Sequence, residues 1–322
     1  MVSSTEVGCN LTSTSPILIA SFALFLSTLS VSAATYYVTV AGLGGEQDYV
    51  QRFTANAMDL DRLFRASGDS AHVFTLTGDQ ATRAHVMETL SSVARSAKSN
   101  DDFILILIGH GSFDGVEYKF NLVGPDISAG EIASLCDRIY AKRQLIVNTT
   151  SASGGSVSAL QKPGRAVITA TKSGTEKNAT VFARYWVEAL EDPAADLDKS
   201  DSISALEAFE YADRKTSAFY ESQKRLATEH AIFEDTGKNE PVRSPSKNEG
   251  TLLSSFTLLR IGVAQSAARD PAKRDLLAKK EELEQKIDVL KYQKAAMNPE
   301  DYKKQLTDAL VQLAQVQQEL DR

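Results

Sequence analysis

The sequence predicts an α/β fold, a three-layer doubly wound sandwich with a mostly parallel central sheet, followed by a C-terminal α-helical hairpin. Two apolar runs, Phe103–Gly111 and Leu145–Gly155, end abruptly in small, polar or glycine residues. Runs of branched apolar residues without alternation are typical of strands buried on both faces of a parallel sheet. Helix-like segments alternate with such strands, and leucines recur every seven residues near the C-terminus. These patterns predict both the class and the hairpin.

Strand and helix segments alternate in chain order, which favours helices on both faces of the sheet. A segment from about residue 222 to 253 contains two prolines and two glycines and is expected to be a long exposed loop. Thr251–Gly262 after it is expected to be a final strand or a bridging segment. Besides the two apolar runs, we expect strands at Tyr36–Ala41, His72–Leu76 and Arg165–Gly174, and helices at Tyr49–Ala66, Ala81–Lys98, Ala129–Tyr140, Val181–Leu190 and Ser204–Lys215.

Two side chains with catalytic chemistry come at the ends of the two apolar runs. His110 ends the first run with Gly111, and Ser151 follows the apolar part of the second. Because chemistry in an open parallel sheet collects beyond the carboxyl ends of the strands, both side chains should lie at one crevice. An imidazole can take the proton from a hydroxyl, so His110 and Ser151 form a candidate dyad.

The residues around this candidate dyad form an ordered set of motifs. Gly109–Ser112 reads Gly-His-Gly-Ser, and Thr150–Gly154 reads Thr-Ser-Ala-Ser-Gly. Upstream, Tyr36–Gly42 is a strand-like run that Arg52 follows shortly. In these motifs the chain resembles the legumain-type and caspase-type cysteine peptidases, whose strands end in His-Gly and then in Ala-Cys-x-Ser-Gly or a close variant.

The resemblance extends from Tyr36 to about Leu226. It implies that residues 34–262 form a caspase/legumain-like α/β domain in which His110 and Ser151 occupy the catalytic positions. It also implies a substrate pocket in which Arg52 is the family's arginine. The further residues that the resemblance places at the substrate are Gly111, Thr149 and Ser153.

The chain departs from the family at the nucleophile. The family has cysteine where this chain has Ser151, and legumains have glutamate where it has Thr149. A small lowering of its pKa is enough to turn a thiol into thiolate, whereas a serine hydroxyl needs a base in close contact. The substitution therefore favours a degenerate peptidase homologue that binds a peptide or protein in the former active-site cleft. An active endopeptidase that uses His110 as base and Ser151 as nucleophile is the alternative.

Composition limits the partners. The chain has 322 residues, 43% hydrophobic and 24% charged, which suits one globular α/β domain with an additional element. Its net charge of −7 and the absence of a lysine or arginine run argue against nucleic acid.

The N-terminus has the pattern of a targeting segment. Pro16–Val31 is an apolar run of signal-peptide size, and Val31-Ser32-Ala33 offers small residues for cleavage. The first fifteen residues contain no lysine or arginine, so an uncleaved N-terminal anchor is the alternative. We expect residues 1–33 to direct export to the periplasm or the exterior, with no membrane contact after cleavage. Cleavage would remove Cys9 and leave Cys136 as a buried structural cysteine.

A second constellation follows the EF-hand spacing for calcium. In such a loop, oxygen ligands come from positions one, three, five, seven, nine and twelve. The first is an aspartate and the last is a bidentate glutamate. Asp201 stands at position six, where glycine normally allows the turn, and the alternative is an acidic N-cap made by Asp201 or Ser202. The positions that match the ligand spacing are Asp196, Asp198, Ser200, Ser202, Ser204 and Glu207. The candidate calcium ligands are Asp196, Asp198, Ser200, Ser202 and Glu207.

Residues 271–322 form a separate helical element. Apolar residues recur at heptad spacing on two arms, and Asn298-Pro299 is a cap and first-turn signal between them. The short break favours an antiparallel hairpin. It could pack on itself, or it could recruit a second copy or a partner helix, in which case the protein would act as a scaffold.

Overall fold

The computed structural model describes residues 33–68, 70–246 and 249–322. The expected signal peptide or anchor falls on residues 1–32 and lies outside the described residues. The strands, numbered in chain order, are β1 (Thr35–Ala41), β2 (Ala71–Leu76), β3 (Asp102–Ile108), β4 (Gly111–Phe113), β5 (Tyr118–Phe120), β6 (Ile127–Ser128), β7 (Arg143–Asn148), β8 (Arg165–Thr169), β9 (Ser202–Ser204), β10 (Ile232–Glu234) and β11 (Thr257–Arg260).

The helices lie mainly between these strands. In chain order they are α1 (Gln47–Arg65), α2 (Arg83–Ser96), α3 (Ala129–Cys136), α4 (Val157–Leu160), α5 (Phe182–Glu191), α6 (Ala205–Ser222), α7 (Thr251–Ser254), α8 (Gly262–Arg269), α9 (Arg274–Gln293) and α10 (Pro299–Leu320).

A six-stranded central sheet has the order β10-β8-β7-β3-β1-β2. β1, β2, β3, β7 and β8 are mutually parallel, whereas β10 pairs with β8 in the antiparallel sense. The middle strand β3 is buried over Phe103–Ile108 on both of its faces. This confirms the reading of the apolar runs, because a strand covered on both faces needs apolar residues at every position.

Helices cover both faces of this sheet. Side chains of α1, α5 and α6 pack on one face, with Leu60 and Trp186 at less than 2% exposure. Side chains of α2 and α3 pack on the other face, with Leu90 and Ile132 equally buried. The α/β class with a mostly parallel sheet and C-terminal helices is therefore what the structure shows.

The structure adds elements that the sequence patterns did not indicate. A small antiparallel sheet of β4, β5 and β6 follows His110 directly, and its strands are only two or three residues long. The segment 222–253, expected to be a long exposed loop, contains β10. This three-residue strand is defined by its pairing with β8, which the local sequence does not show. Thr251–Gly262 is both a short helix, α7, and a strand, β11, which pairs with β9.

The C-terminal hairpin has the predicted antiparallel form. Asn298 caps α10 by accepting from Glu300 N, with Pro299 in the first turn. The Lys273 ammonium, just before α9, donates to the carbonyl of Leu320 at the end of α10. α9 also packs on the α/β body, where Glu281 forms a two-point ion pair with Arg260 (2.6 and 2.9 Å).

No described helix is both long enough and apolar enough to cross a membrane.

Candidate functional site

His110 and Ser151 lie beyond the carboxyl ends of neighbouring parallel strands. β3 ends at Ile108, and β7, which pairs with it, ends at Asn148. The register pairs Leu107 with Asn148, and its continuation would set His110 opposite Ser151. The shared edge follows from the parallel pairing, because carboxyl ends of parallel strands meet on one side of a sheet.

The Ser151 hydroxyl is held by backbone rather than by a base. Oγ donates to the carbonyl of Gly111 at 3.0 Å and accepts from the Gly111 N–H at 3.1 Å. The residue is 3% exposed. A hydroxyl has one proton to donate, so the bond to Gly111 occupies the proton that a general base would take.

The His110 ring packs against α1. It lies edge-on to Tyr49 and Phe53, with ring centroids 4.7 and 5.2 Å apart. Burial lowers the pKa of His110 below its usual value, and the Arg52 guanidinium lowers it further, against a bond to the Gly44 backbone that raises it. The imidazole is therefore neutral over a wider pH range than a free histidine.

Arg52 reaches the same side of the site as His110. Its guanidinium lies over the Tyr49 ring, 4.6 Å from the centroid, and 3.4 Å from Asp48. Half of the side chain is exposed, so it can meet a ligand. Arg52 and His110 both contact the Tyr49 ring, so the two side chains lie near each other.

Thr149 and Ser153, which the resemblance placed at the substrate, have their hydroxyls in the interior. Thr149 Oγ1 donates to Leu107 O at 2.8 Å, and the residue is 1% exposed. Ser153 is fully buried, and its Oγ accepts from Thr171 N at 3.1 Å. In this conformation both residues hold the loop after β7 rather than face the cleft.

A buried polar cluster behind Ser151 was missed by the sequence reasoning. Tyr118 Oη lies 2.6 Å from Thr150 Oγ1 and donates to Asn148 Oδ1 at 3.2 Å. Burial raises the pKa of Tyr118, so its hydroxyl keeps its proton as a donor. Tyr118 stands only six residues after the Gly109–Ser112 motif, but nothing in its local sequence signals this role.

The turn after Ser151 has unusual backbone geometry. Ala152 has φ of +55°, a left-handed conformation that non-glycine residues rarely adopt. Its N–H donates to the carbonyl of Glu176 at 2.7 Å, which holds the turn in place. Residues held in such conformations cluster at functional sites, which supports a role for this turn.

Glu176 belongs to a segment that runs beside Ser151, residues 172–181, here called the flanking segment. Thr180 Oγ1 donates to the carbonyl of Thr149 at 2.5 Å. The end of the segment is fixed by the Glu229 carboxylate, which accepts from Val181 N at 2.8 Å. The flanking segment is thus bonded to the chain on both sides of Ser151.

The acidic loop, Asp196–Glu207, brings three carboxylates together. One oxygen each of Asp196, Asp198 and Glu207 lies within 4.8 Å of the others, a grouping that could hold a metal ion. Asp201 has φ of +62°, so the chain turns at the sixth position without glycine. Ile203, at the eighth position, is fully buried in β9.

The alternative of an acidic N-cap has a different capping residue from the one expected. Ser204, not Asp201 or Ser202, caps α6, in a capping box with Glu207. The carboxylate of Glu207 also accepts from Leu197 N at 2.8 Å. Ser202 Oγ lies 2.9 Å from Ser200 Oγ, so these two predicted ligands bond to each other.

The acidic loop faces the C-terminal hairpin across a cavity of about 230 Å³. Burial raises the pKa of Asp196 and that of Glu207. It also raises the pKa of Glu284, on α9, to about 7. The acidic side chains around the cavity are Asp198, Glu207, Glu210, Glu281, Glu284 and Asp288.

Comparisons with known proteins do not assign the chain to a family. No protein-family model matches the chain. No curated protein matches it either. Among solved structures, the chain is similar to protein GSU0716 from Geobacter sulfurreducens, with a TM-score of 0.47 and 13% identity over 71% of this chain and 99% of that protein.

Proposed function

We propose that this protein is a catalytically degenerate homologue of the legumain/caspase-like peptidases that binds a peptide or protein at the His110–Ser151 edge of the sheet. The observation that carries the proposal is the pair of hydrogen bonds between Ser151 Oγ and the Gly111 backbone. A hydroxyl held in this way lacks the contact with a base that serine needs to become a nucleophile.

The surroundings of His110 support the same conclusion. A general base is normally oriented by a third group that fixes its tautomer. Among the described residues, the ring of His110 contacts Tyr49 and Phe53, and its hydrogen bond is with the Gly44 backbone rather than with a carboxylate. The half-exposed Arg52, which contacts the same Tyr49 ring, is paired with the exposed Asp48 and can exchange that partner for a ligand carboxylate, which suits binding.

Reaction with a serine-directed electrophile separates this proposal from the active endopeptidase. We expect a fluorophosphonate to leave Ser151 unmodified under conditions in which it labels an authentic serine peptidase, as read by mass mapping. Wild type should bind members of a random peptide library without cleaving them. Labelling at Ser151 together with cleavage that Ser151→Ala abolishes would establish the endopeptidase instead.

Ser151→Cys tests whether the rest of the peptidase site is intact. A thiol needs less help from His110 than a hydroxyl does, so we expect this variant to gain peptide cleavage or alkylation by iodoacetamide at residue 151. Ser153→Cys is the matched control, because Ser153 is buried in the same loop. Equal inertness of both variants would show that the cleft has decayed or serves binding only.

We also propose that the acidic loop binds calcium. The supporting observation is the convergence of Asp196, Asp198 and Glu207 on one point, with the left-handed turn at Asp201 that the loop requires. Hard oxygen ligands of this kind suit Ca²⁺, and three carboxylates without a glycine turn suit a weak site of about 0.1–1 mM. The ion would offset the repulsion among these three carboxylates.

Thermal unfolding with millimolar calcium and with chelator tests this second proposal. We expect calcium to raise Tm in the wild type and to have little effect on Asp198→Asn, which removes an exposed ligand without disturbing the capping box. Asp213→Asn is a control, since this residue lies on α6 in an ion pair with Arg243 away from the loop. Coincident curves for wild type would leave the loop as a capped acidic turn.

A further inference from the structure

A second histidine of this edge, His230, is oriented by a carboxylate. Its Nδ1 lies 2.6 Å from Oε1 of Glu176, and its backbone N–H donates to Oε2 of the same carboxylate at 3.2 Å. The N–H of Lys172 donates to Oε2 as well, at 3.0 Å. Glu176 therefore holds His230 by one contact to its ring and one to its backbone, and is itself held by the flanking segment.

This pair lies beside Ser151. The carbonyl of Glu176 accepts from Ala152 N, the residue directly after Ser151. His230 lies two residues before the start of β10, which pairs with the carboxyl end of β8 (Ile232 with Thr169). The pair is therefore at the carboxyl edge of the sheet, on the side of Ser151 away from α1.

We propose that His230 is a ligand-binding residue of the Ser151 site, and that its Nε2 accepts a hydrogen bond from a backbone N–H of the bound peptide. The inference rests on the proposed function and extends it to a second wall of the cleft. A carboxylate opposite Nδ1 requires the proton to be on Nδ1, which leaves the lone pair on Nε2. The side chain is 30% exposed, so the ring can be reached.

The charges around the His230–Glu176 pair favour an uncharged hydrogen-bond donor as the ligand group. The ammonium of Lys172 lies 3.7 Å from Oε1 of Glu176, so a cationic ligand group would meet a like charge there. A ligand carboxylate has no proton to donate to Nε2. A peptide N–H satisfies both conditions.

Two substitutions separate the contact with Glu176 from the contact with the ligand. The amide nitrogen of Asn in His230→Asn can take the place of Nδ1 and keep the bond to Glu176, but nothing replaces Nε2. His230→Gln places its amide near the position of Nε2 instead. His72→Asn is the control, because this histidine lies on β2, stacked on Tyr36.

Peptides that wild type selects from a random library are the probe, and their Kd is measured for each variant. We expect His230→Asn to keep the wild-type Tm and to bind about tenfold more weakly, the size of one lost hydrogen bond. His230→Gln should bind within a few-fold of wild type, and His72→Asn should match it. Unchanged binding by a folded His230→Asn would overturn the inference while leaving the proposed function standing.

NMR of wild type with ¹⁵N-labelled histidine gives a readout that does not depend on a variant folding. Addition of a selected peptide should shift the Nε2 signal of His230 and leave that of His72 in place. An unmoved His230 signal at saturation would overturn the inference. If wild type selects no peptide at all, the proposed function fails, and this extension fails with it.

Discussion

At the scale of single residues, the site depends on how closely two backbone segments approach. Gly111 lies where its N–H and carbonyl both reach Ser151 Oγ. A Cβ on Gly111 would lie 2.5 Å from the Tyr118 ring and 2.6 Å from the carbonyl of Ser151. Tyr118 is itself bonded to Asn148 and Thr150, so it cannot move aside cheaply.

Gly111→Ala is therefore expected to destabilise the protein by about 1–3 kcal/mol, the usual effect of overpacking a filled interior. Gly130→Ala is the matched control. Its Cβ would meet only Ser128 Oγ at 3.9 Å, in the first turn of α3, and alanine is the better helix former. Urea unfolding of both variants checks this prediction. Equal stabilities would show that the surroundings of Gly111 can accommodate a methyl group.

At the scale of elements, the C-terminal hairpin is fixed at its turn and along one face. At the turn, Asn298 caps α10 and Pro299 is the first residue of that helix. Along α9, Leu283, Ile287 and Leu290 are each no more than 6% exposed, so the heptad stripe is covered within this chain. The apolar stripe of α9 is thus covered within this chain, and a partner for the hairpin stays a prediction.

Asn298→Ala should lower the free energy of unfolding by about 1 kcal/mol, because it removes the side-chain acceptor from Glu300 N. Lys304→Ala, an exposed position on the same helix, should change it by no more than a few tenths. Denaturant titration of the two variants gives the comparison. A loss at Lys304 as large as that at Asn298 would contradict the capping role.

At the scale of the whole molecule, buried carboxyls couple stability to pH. Glu229 is 3% exposed and accepts from Val181 N, Phe182 N and Tyr220 Oη. Burial raises its pKa to about 7, despite those donors. The group joins the start of α5 to the approach to β10, so its ionisation acts on two elements at once.

The direction of the pH dependence follows from the raised pKa of Glu229. Between the ordinary glutamate pKa and about 7, the folded state keeps the proton that the unfolded state releases. The contribution of Glu229 is therefore complete below the unfolded pKa and is lost as pH rises through about 7. We expect stability to fall from pH 5 to pH 8 by on the order of 2–3 kcal/mol from this group. In Glu229→Gln the fall should be smaller by that amount, as measured by urea unfolding across the range, and an identical pH profile would contradict it.

The sequence by itself determined the α/β class, the edge that carries His110 and Ser151, and the capped helical hairpin. Each depends on local chemistry, such as unbroken apolar runs, small residues after a strand, or an Asn-Pro cap. Only the tertiary structure decided that Ser151 bonds to Gly111, that His110 turns toward Tyr49 and that Glu176 meets His230. These contacts join residues 40, 61 and 54 positions apart. No local pattern specifies a side-chain direction across such separations, because it is set by what packs on the other side.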